Sequence, residues 1–444
     1  MSLWWCEGAW LGGDQVTPEV LLEVSDGRLV GCTPGAEIPT EATVLNGLTL
    51  PGLANAHSHA FHRALRSRTQ TGTGSFWTWR DQMYAVAQRL NPENYERLAR
   101  AAFAEMALAG ISVVGEFHYV HHQPDGTPYL DPNAMGQAVI NAAAAAGVRL
   151  TLLDTCYLHG GLDQNGYQPV ADHQRRFSDG TAQNWVERVN ALPESAMVRI
   201  GGAVHSVRAV DPAAMATVAT WAHQSGAPVH AHVSEQPAED QASQAFHGAT
   251  PLAVLDAAGL VTAQFTAVHG THFGSADQAL LGQANAGCCF CPTTERDLAD
   301  GIGPAKNLLA AGATLSLGSD SQAVIDLFEE ARAIELNERL ATNQRGHHTA
   351  AELLTAATAN GYHALGWSDG GCLALGGRAD FVTVALDSVR TAGGGMNLEN
   401  VVYAATAADV TNLVVNGQTV VANGTHAKIN VAAELAAATH EVTS

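Results

Sequence analysis

Short apolar segments and alanine-rich helical segments alternate through the middle of this 444-residue chain, and this alternation constrains the fold more than any other feature. Eight apolar segments have the length and composition of buried strands: LTLPGLANAH, ISVVGEFHY, VRLTLLDTCY, MVRIGGAVHS, APVHAHVSE, FTAVHGTH, AGCCFCPTT and TLSLGSD. Helical segments such as NYERLARAAFAEMALAG and DPAAMATVATWAHQSG lie between them. Such alternation predicts an α/β fold with a parallel sheet, and eight units predict that the sheet closes into a (β/α)8 barrel of the TIM type.

The two ends of the chain have a different pattern, in which short strands are joined by tight turns. The Asp-Gly pair at 26–27 and the Asn-Gly pair at 416–417 are typical of two-residue hairpins. We therefore predict that residues 1–50 and 371–444 form one small β-sandwich and that residues 51–370 form the barrel. A doubly wound open sheet is the alternative for the middle region, but no G-x-G-x-x-G follows its first strand.

Histidines and an aspartate lie where several predicted strands end, which is the end of a barrel that holds active sites. Side chains two residues apart in a strand point to the same face, so both imidazoles of an H-x-H motif can bind one ion. A single H-x-H in a chain with 20 histidines is weak evidence, but two such motifs and a strand-end aspartate are hard to explain as ordinary buried residues. We predict four ligands for one divalent ion: His57, His59, His232 and Asp320.

The composition excludes several classes of function. With 22 Lys+Arg against 43 Asp+Glu the net charge is −21, whereas a nucleic acid or an anionic membrane requires a basic surface on its partner. No apolar run reaches the length of about 20 residues that a membrane span needs. The seven cysteines are odd in number and scattered, and the N-terminus lacks the basic start of a signal peptide. We therefore expect reduced thiols and a cytoplasmic protein.

Five segments together resemble the amidohydrolase superfamily. PGLANAHSHAFHRAL, HAHVSE, VHGTH and LGSDS are similar to its metal-site motifs, and GCLALGGRADFVTV is similar to its post-barrel strand motif. Superfamily members with two metals use a carboxylated lysine at the end of the fourth strand. The fourth predicted strand has no lysine, and the two lysines of the chain, Lys306 and Lys428, lie elsewhere. The resemblance therefore implies one metal ion per chain, and zinc is the expected ion.

Four further segments, SFWTWRDQMY, EFHYVHH, HSVRA and TTERDLADG, are similar to the formimidoylglutamate deiminases of histidine degradation. These enzymes convert N-formimidoyl-L-glutamate to N-formyl-L-glutamate and ammonia. The resemblance implies five substrate contacts: His62, Arg80, Tyr119, His205 and Arg208. Arginine suits this dicarboxylate, because a guanidinium pairs well with a carboxylate. His62 departs from the family pattern, which often has Gln at this position.

The resemblance also implies catalytic roles. Asp320 accepts a proton from the attacking water, His269 orients the attacking oxygen, and Glu235 passes a proton to the departing nitrogen. A homodimer that binds a small dicarboxylate is the expected assembly, and we expect Trp77 and Trp79 to pack as a lid.

Two alternatives stay open at this point. A deaminase of a purine, a pyrimidine or another ring amidine would use the same metal chemistry, but it would not need two arginines in its loops. An inactive amidohydrolase scaffold that acts as a binding protein would not need the complete set of ligands and proton-transfer residues. Two other clusters are interpreted as structural: the histidines at 118, 121 and 122, and the C-x-x-C formed by Cys288 and Cys291.

Overall fold

The computed structural model describes residues 1–70, 74 and 76–444. The side chain of the predicted lid residue Trp77 lies outside the described part, whereas Trp79 is described and lies in the first helix.

The described residues form eighteen strands and fifteen α-helices, numbered in chain order. The strands are β1 (Ser2–Ala9), β2 (Thr17–Ser25), β3 (Arg28–Thr33), β4 (Thr43–Pro51), β5 (Leu53–Ser58), β6 (Ile111–His118), β7 (Arg149–Cys156), β8 (Gly161–Asp163), β9 (Gly166–Gln168), β10 (Val198–Val204), β11 (Val229–Val233), β12 (Phe265–His269), β13 (Gly287–Phe290), β14 (Thr314–Leu317), β15 (Phe381–Val384), β16 (Val410–Val415), β17 (Gln418–Ala422) and β18 (Thr425–His426). The helices are α1 (Phe76–Ala87), α2 (Pro92–Leu108), α3 (Ala134–Ala146), α4 (Ala182–Val189), α5 (Pro212–Ser225), α6 (Pro237–His247), α7 (Pro251–Ala257), α8 (Ser275–Gln283), α9 (Pro292–Asp297), α10 (Ala305–Ala311), α11 (Leu327–Thr342), α12 (Ala350–Ala357), α13 (Ala359–Ala364), α14 (Leu398–Tyr403) and α15 (Val431–Thr443).

The central sheet is a parallel barrel with the order β5-β6-β7-β10-β11-β12-β13-β14. A parallel bridge between Ser58 and Asp320 joins the first strand to the end of the last one. All eight predicted strands are present, so the predicted (β/α)8 barrel is confirmed. The first predicted segment is divided, because β4 ends at Pro51 in the other sheet and β5 begins at Leu53.

Local sequence explains where the helices around the barrel begin and end. The Asn91 side chain accepts the Asn94 amide at the start of α2, and Pro92 occupies its first turn, where no intrahelical donor is lost. Asp211 caps α5 in the same way, and Gly226 follows the last residue of this helix with φ of 68°, a left-handed conformation that suits glycine. The strands between the helices are covered on both faces, and every residue of β6 and β7 is buried.

Strands from both termini form the second sheet, in the order β18-β17-β16-β15-β4-β1-β2-β3. Its two predicted hairpins are confirmed, with turns at residues 26–27 and 416–417 in left-handed conformation. The β2–β3 hairpin also pairs with the segment before β15, because Leu29 exchanges backbone hydrogen bonds with residues 376–377. This closure encloses a second apolar core in which Trp4 contacts Phe381 edge to face. The predicted union of strands from both termini outside the barrel is therefore confirmed, and these strands form one eight-stranded sheet.

None of the helices in the described part of the chain has the length and the apolar character that crossing a bilayer requires.

Candidate metal centre and substrate cavity

The four predicted metal ligands lie together at the carboxyl end of the barrel. His57 lies in β5 and His59 follows it, while His232 lies in β11 and Asp320 follows β14. The Nε2 atoms of His57 and His59 are each 3.4 Å from Asp320 Oδ1, and the Nε2 atoms of His57 and His232 are 3.2 Å apart. All four side chains are buried.

Backbone carbonyls determine the tautomers of two of these histidines. His59 Nδ1 donates to the Phe117 carbonyl at 2.9 Å, and His232 Nδ1 donates to the His205 carbonyl at 3.0 Å. A carbonyl oxygen can only accept a hydrogen bond, so Nδ1 carries the proton in both rings. Each Nε2 atom therefore presents a lone pair to the cluster, which is the form that a metal-ligating histidine takes.

The donor set fits a divalent metal ion. Nitrogen lone pairs and a carboxylate oxygen are costly to hold together in a buried space unless a cation lies between them. Burial lowers the pKa of His57, His59 and His232, which keeps the imidazoles neutral, as ligands must be. Three imidazoles and one carboxylate match the preferences of zinc. The ligating atoms of His57, His232 and His269 also lie within 4.8 Å of one another, so His269 is within reach of the same ion.

Asp320 stays ionised in this cluster. Desolvation on its own would raise the pKa of the buried carboxyl group, but the contact with His57 and the charge of the protonated His269 hold that pKa below its usual range. Asp320 and His269 have φ values of 40° and 72°, a left-handed conformation that is uncommon for residues other than glycine. Such strained residues are concentrated at functional sites.

The predicted proton-transfer residues converge beside the ligands. His269 Nε2 lies 3.8 Å from Asp320 Oδ2 and 3.9 Å from Glu235 Oε1. Desolvation raises the pKa of Glu235. Desolvation alone would lower the pKa of His269, but the carboxylates of Glu235, Glu295 and Asp320 raise it well above its usual value. Glu295, which the sequence reasoning missed, lies 3.5 Å from His269 Nδ1 and orients the ring.

Two predicted substrate contacts are arginines on the wall of the cavity. Arg208 Nε donates to Glu239 Oε2 at 2.7 Å, and Arg208 Nη2 lies 3.8 Å from Glu235. Asp211, which lies three positions after Arg208 in the sequence, caps α5 and accepts from its backbone amides. The Arg80 guanidinium lies over the Tyr84 ring, 5.6 Å from its centroid.

The three remaining predicted contacts lie close to the ligands; His62 and Tyr119 are buried, and His205 is half-buried. His62 Nε2 and the Tyr119 hydroxyl are 2.9 Å apart, and burial lowers the pKa of His62 to about 3, so this imidazole is neutral. The His205 ring lies with its centroid 5.2 Å from that of His232. Burial and the charge of Arg208 lower the pKa of His205.

A cavity of about 200 Å³ connects these groups. Ten of the eleven predicted site residues line it, and the eleventh, His57, is completely buried beside them. Sequence reasoning missed several other lining residues, including Tyr84 and Tyr157. Tyr157 ends the predicted third strand and Tyr84 ends the SFWTWRDQMY segment, so strand-end position and segment membership were the available signals.

Two further groups of potential ligands lie in the described part of the barrel. His118, His121 and Asp154 bring ligating atoms within 4.8 Å of one another, but both Asp154 oxygens accept hydrogen bonds from Arg188, at 2.7 and 2.8 Å. A guanidinium therefore already supplies the positive charge there. Cys291 lies close to His269 and Asp320 at the end of β13 and is buried.

Comparisons with known proteins agree with this geometry. The model of the amidohydrolase family matches residues 48–420. Formimidoylglutamate deiminase from Pseudomonas aeruginosa is 38% identical over 423 residues, which cover 92% of this chain and 92% of that protein. The predicted similarity to this group of deaminases is therefore confirmed.

Solved structures share the architecture. An amidohydrolase from Brucella melitensis has a TM-score of 0.92 and 30% identity, covering 100% of both chains. An adenosine deaminase from Xanthomonas campestris, solved with bound zinc, has a TM-score of 0.83 and 25% identity, covering 99% of this chain and 97% of that one. Sequence, fold and the histidine–aspartate cluster lead to one conclusion: the chain belongs to the amidohydrolase family.

Proposed function

We propose that this chain is a hydrolase of C–N bonds that converts N-formimidoyl-L-glutamate to N-formyl-L-glutamate and ammonia, with one zinc ion per chain. The observation that carries the proposal is the placement of Arg80 and Arg208 in the same cavity as the candidate metal ligands. A substrate with an amidine at one end and two carboxylates needs this combination, because the guanidinium is the side chain best suited to pair with a carboxylate. The similarity to the deaminase from Pseudomonas aeruginosa supports the same substrate.

The residues that would hold the ion are His57, His59, His232 and Asp320. A bound zinc ion would supply a Lewis acid that brings the pKa of a water molecule to about 7. The ionised Asp320 has its Oδ2 atom directed to His269 and can accept a proton from the nucleophilic water. The raised pKa of His269 keeps a proton on its ring, which can stabilise the negative charge on the attacking oxygen.

Glu235 is suited to move the proton that the leaving group needs. Desolvation raises the pKa of this carboxyl group, and its position between His269 and Arg208 places it at the end of the cavity where the amidine would react. A proton given to the departing nitrogen allows ammonia to leave instead of an amide anion.

Arginines in the cavity also resolve a conflict of charge. The chain carries a net charge of −21, so its long-range field repels a dianionic substrate. Surface charges are screened beyond about 8 Å at physiological salt, whereas Arg208 and Arg80 act at contact distance inside the cavity. We therefore expect attraction of the substrate only at the mouth of the barrel.

The test is the release of ammonia by the zinc-loaded protein from N-formimidoyl-L-glutamate, compared with guanine, cytosine and adenosine. We expect turnover of the linear amidine and background rates with the rings. Efficient turnover of a ring with none of formimidoylglutamate would establish the ring-amidine alternative. A stably folded, zinc-loaded protein that is inert toward all four compounds would favour a binding scaffold.

Replacing Arg208 with Ala tests the carboxylate contact within the same assay. Loss of a charge-assisted contact to the substrate costs about 1.5–3 kcal/mol, which lowers kcat/KM roughly 10- to 100-fold. Arg296→Ala is the matched control, because Arg296 is paired with Glu329 at the surface. Equal efficiency of Arg208→Ala and the unaltered protein would place the carboxylates elsewhere.

We also propose that the protein works in the cytoplasm, and the seven free cysteines of the structure support a reducing compartment. The homodimer stays a prediction, which sedimentation velocity would test.

A further inference from the structure

Two tyrosines of the cavity wall share a buried partner that the proposed chemistry does not use. Tyr84 and Tyr157 line the cavity, and Gln174 lies behind them with only 3% of its surface exposed. The Gln174 Nε2 atom is 2.8 Å from the Tyr157 hydroxyl and 3.1 Å from the Tyr84 hydroxyl. A buried amide that contacts two hydroxyl groups at one wall of a cavity influences whether those hydroxyl groups donate or accept a hydrogen bond toward a ligand.

The orientation of the Gln174 amide is determined by backbone groups. Its Oε1 atom accepts the Ala171 amide at 3.1 Å, and its Nε2 atom donates to the Gly160 carbonyl at 3.1 Å. A backbone amide only donates and a carbonyl only accepts, so exchanging the oxygen and the nitrogen would break both contacts. The side of Gln174 that faces the tyrosines is therefore a donor.

A count of protons follows from this orientation. One of the two Gln174 amide hydrogens goes to the Gly160 carbonyl, so the other is shared by the two tyrosine oxygens. Because the amide nitrogen has no lone pair to offer, neither hydroxyl proton is used toward it. A hydrogen bond between the two hydroxyl groups would use at most one of the two protons. At least one hydroxyl proton is therefore left to donate to a group in the cavity.

The surroundings favour an anionic group as the acceptor. The Arg80 guanidinium lies over the Tyr84 ring, and the Tyr157 ring lies 4.6 Å from the His205 ring, centroid to centroid. Arg80 and Arg208 line the same cavity as Tyr157. Burial raises the pKa of Tyr157, while the positive charges of Arg208 and Arg80 act in the opposite direction. The hydroxyl keeps its proton and lies in a positive environment, which suits a carboxylate.

We propose that Tyr84 and Tyr157, held as donors by Gln174, bind one carboxylate of the substrate together with the arginines and thereby select for a dicarboxylate. This inference rests on the proposed function, since it assigns a part of the substrate to a part of the same cavity. Tyr84 and Tyr157 are substrate-binding residues, and Gln174 is a positioning residue that acts through them.

The experiment compares three compounds with the zinc-loaded protein and its variants. N-formimidoyl-L-glutamate has both carboxylates, the formimidoyl derivative of γ-aminobutyrate lacks the α-carboxylate, and that of α-aminobutyrate lacks the side-chain carboxylate. Each analogue is measured as a substrate and as a competitive inhibitor. Tyr84→Phe/Tyr157→Phe removes both hydroxyl groups and keeps the rings, and each single variant is measured as well.

We expect the double variant to lose about 10- to 100-fold in kcat/KM on formimidoylglutamate, mainly through a higher KM. The same loss should occur with one analogue and be absent with the other, because that analogue lacks the carboxylate that the hydroxyl groups bind. Gln174→Leu should lower kcat/KM on formimidoylglutamate by itself, but it should add little to the loss in the double variant, since it acts through the same hydroxyl groups.

Tyr167→Phe is the matched control, because this hydroxyl group bonds to the Val210 carbonyl and to His247 and not to the cavity. An equal loss with all three compounds, or no loss with any of them, would overturn the inference. Failure of the unaltered protein to act on formimidoylglutamate would instead contradict the proposed function, so the two failures are distinguishable. Thermal unfolding of each variant identifies any loss of activity that comes from misfolding. If the double variant is misfolded, the same comparison of the three compounds is made with the two single variants.

Discussion

At the scale of single residues, two backbone carbonyls prepare the candidate metal centre. The Phe117 and His205 carbonyls hold the Nδ1 protons of His59 and His232 and thereby direct the Nε2 lone pairs to the cluster. His205 thus contributes twice, through its carbonyl to a candidate ligand and through its ring to the cavity. Side chains that are oriented before an ion arrives lose less conformational entropy when they bind it.

Replacing His232 with Ala tests the centre at this scale. The variant loses one neutral nitrogen ligand, so we expect metal content, measured by inductively coupled plasma mass spectrometry, to fall well below one ion per chain. We expect kcat/KM to fall by more than about 100-fold, since loss of an outer-shell partner alone costs 10- to 100-fold. His223→Ala, at an exposed position of α5, serves as the control. Full activity with stoichiometric metal in His232→Ala would refute the ligand assignment.

At the scale of elements, a buried polar chain closes the seam between β5 and the end of β14. Asn55 Nδ2 donates to Ser319 Oγ at 2.7 Å, and Ser319 N donates back to Asn55 Oδ1 at 3.0 Å. The Ser319 hydroxyl donates to Gln322 Oε1, and the Gln322 side-chain amide donates to Ser58 Oγ at 2.9 Å. Because His57 and Asp320 lie next to these residues, the seam sets the distance between ligands on the first and last strands.

Asn55→Leu tests the seam. The substitution leaves the buried Ser319 amide without its acceptor, so we expect the free energy of unfolding to fall by about 1–3 kcal/mol in urea denaturation. We also expect weaker metal binding, measured by competition with a chelator. Asn141→Leu, on the exposed face of α3, is the matched control. Unchanged stability together with unchanged metal affinity would show that the seam does not position the ligands.

At the scale of the whole molecule, a buried ion pair connects the barrel to the terminal sheet. Arg149, the first residue of β7, donates from Nε to Asp380 Oδ2 at 2.6 Å and from Nη2 to Oδ1 at 3.0 Å. Tyr362 and the Asn416 amide also donate to this carboxylate. Asp380 directly precedes β15, so a single carboxylate connects both sheets.

Arg149→Met tests this connection. The variant leaves Asp380 buried without its positive partner, and such a change typically lowers the free energy of unfolding by about 3–5 kcal/mol. Arg97→Met removes a surface pair with Glu441 and should cost less than about 1 kcal/mol. The free energy of unfolding of both variants is to be measured by chemical denaturation. Equal stability of the two variants would mean that the buried pair makes no net contribution to the union of the sheets.

The amino-acid sequence by itself determined the barrel, the hairpins and the candidate ligands. Alternating strands and helices leave few folds open, because each strand has to be covered on both faces. The two-residue period of a strand places both imidazoles of an H-x-H motif on one face, and the end of the strand places them at the mouth of the barrel. The sequence alone likewise shows that the fourth predicted strand contains no lysine.

Only the tertiary structure decided the partners of these side chains. Tyr84 and Gln174 are 90 positions apart, and Asn55 and Ser319 are 264 positions apart, yet each pair forms a hydrogen bond. Local patterns predict contacts between neighbours in a helix or a strand, and they would pair Arg208 with the nearby Asp211. The observed partner, Glu239, lies on α6 in the next unit of the barrel. Closure of the barrel creates such contacts, because it brings loops from distant units to one mouth, and their chemistry is therefore a property of the fold.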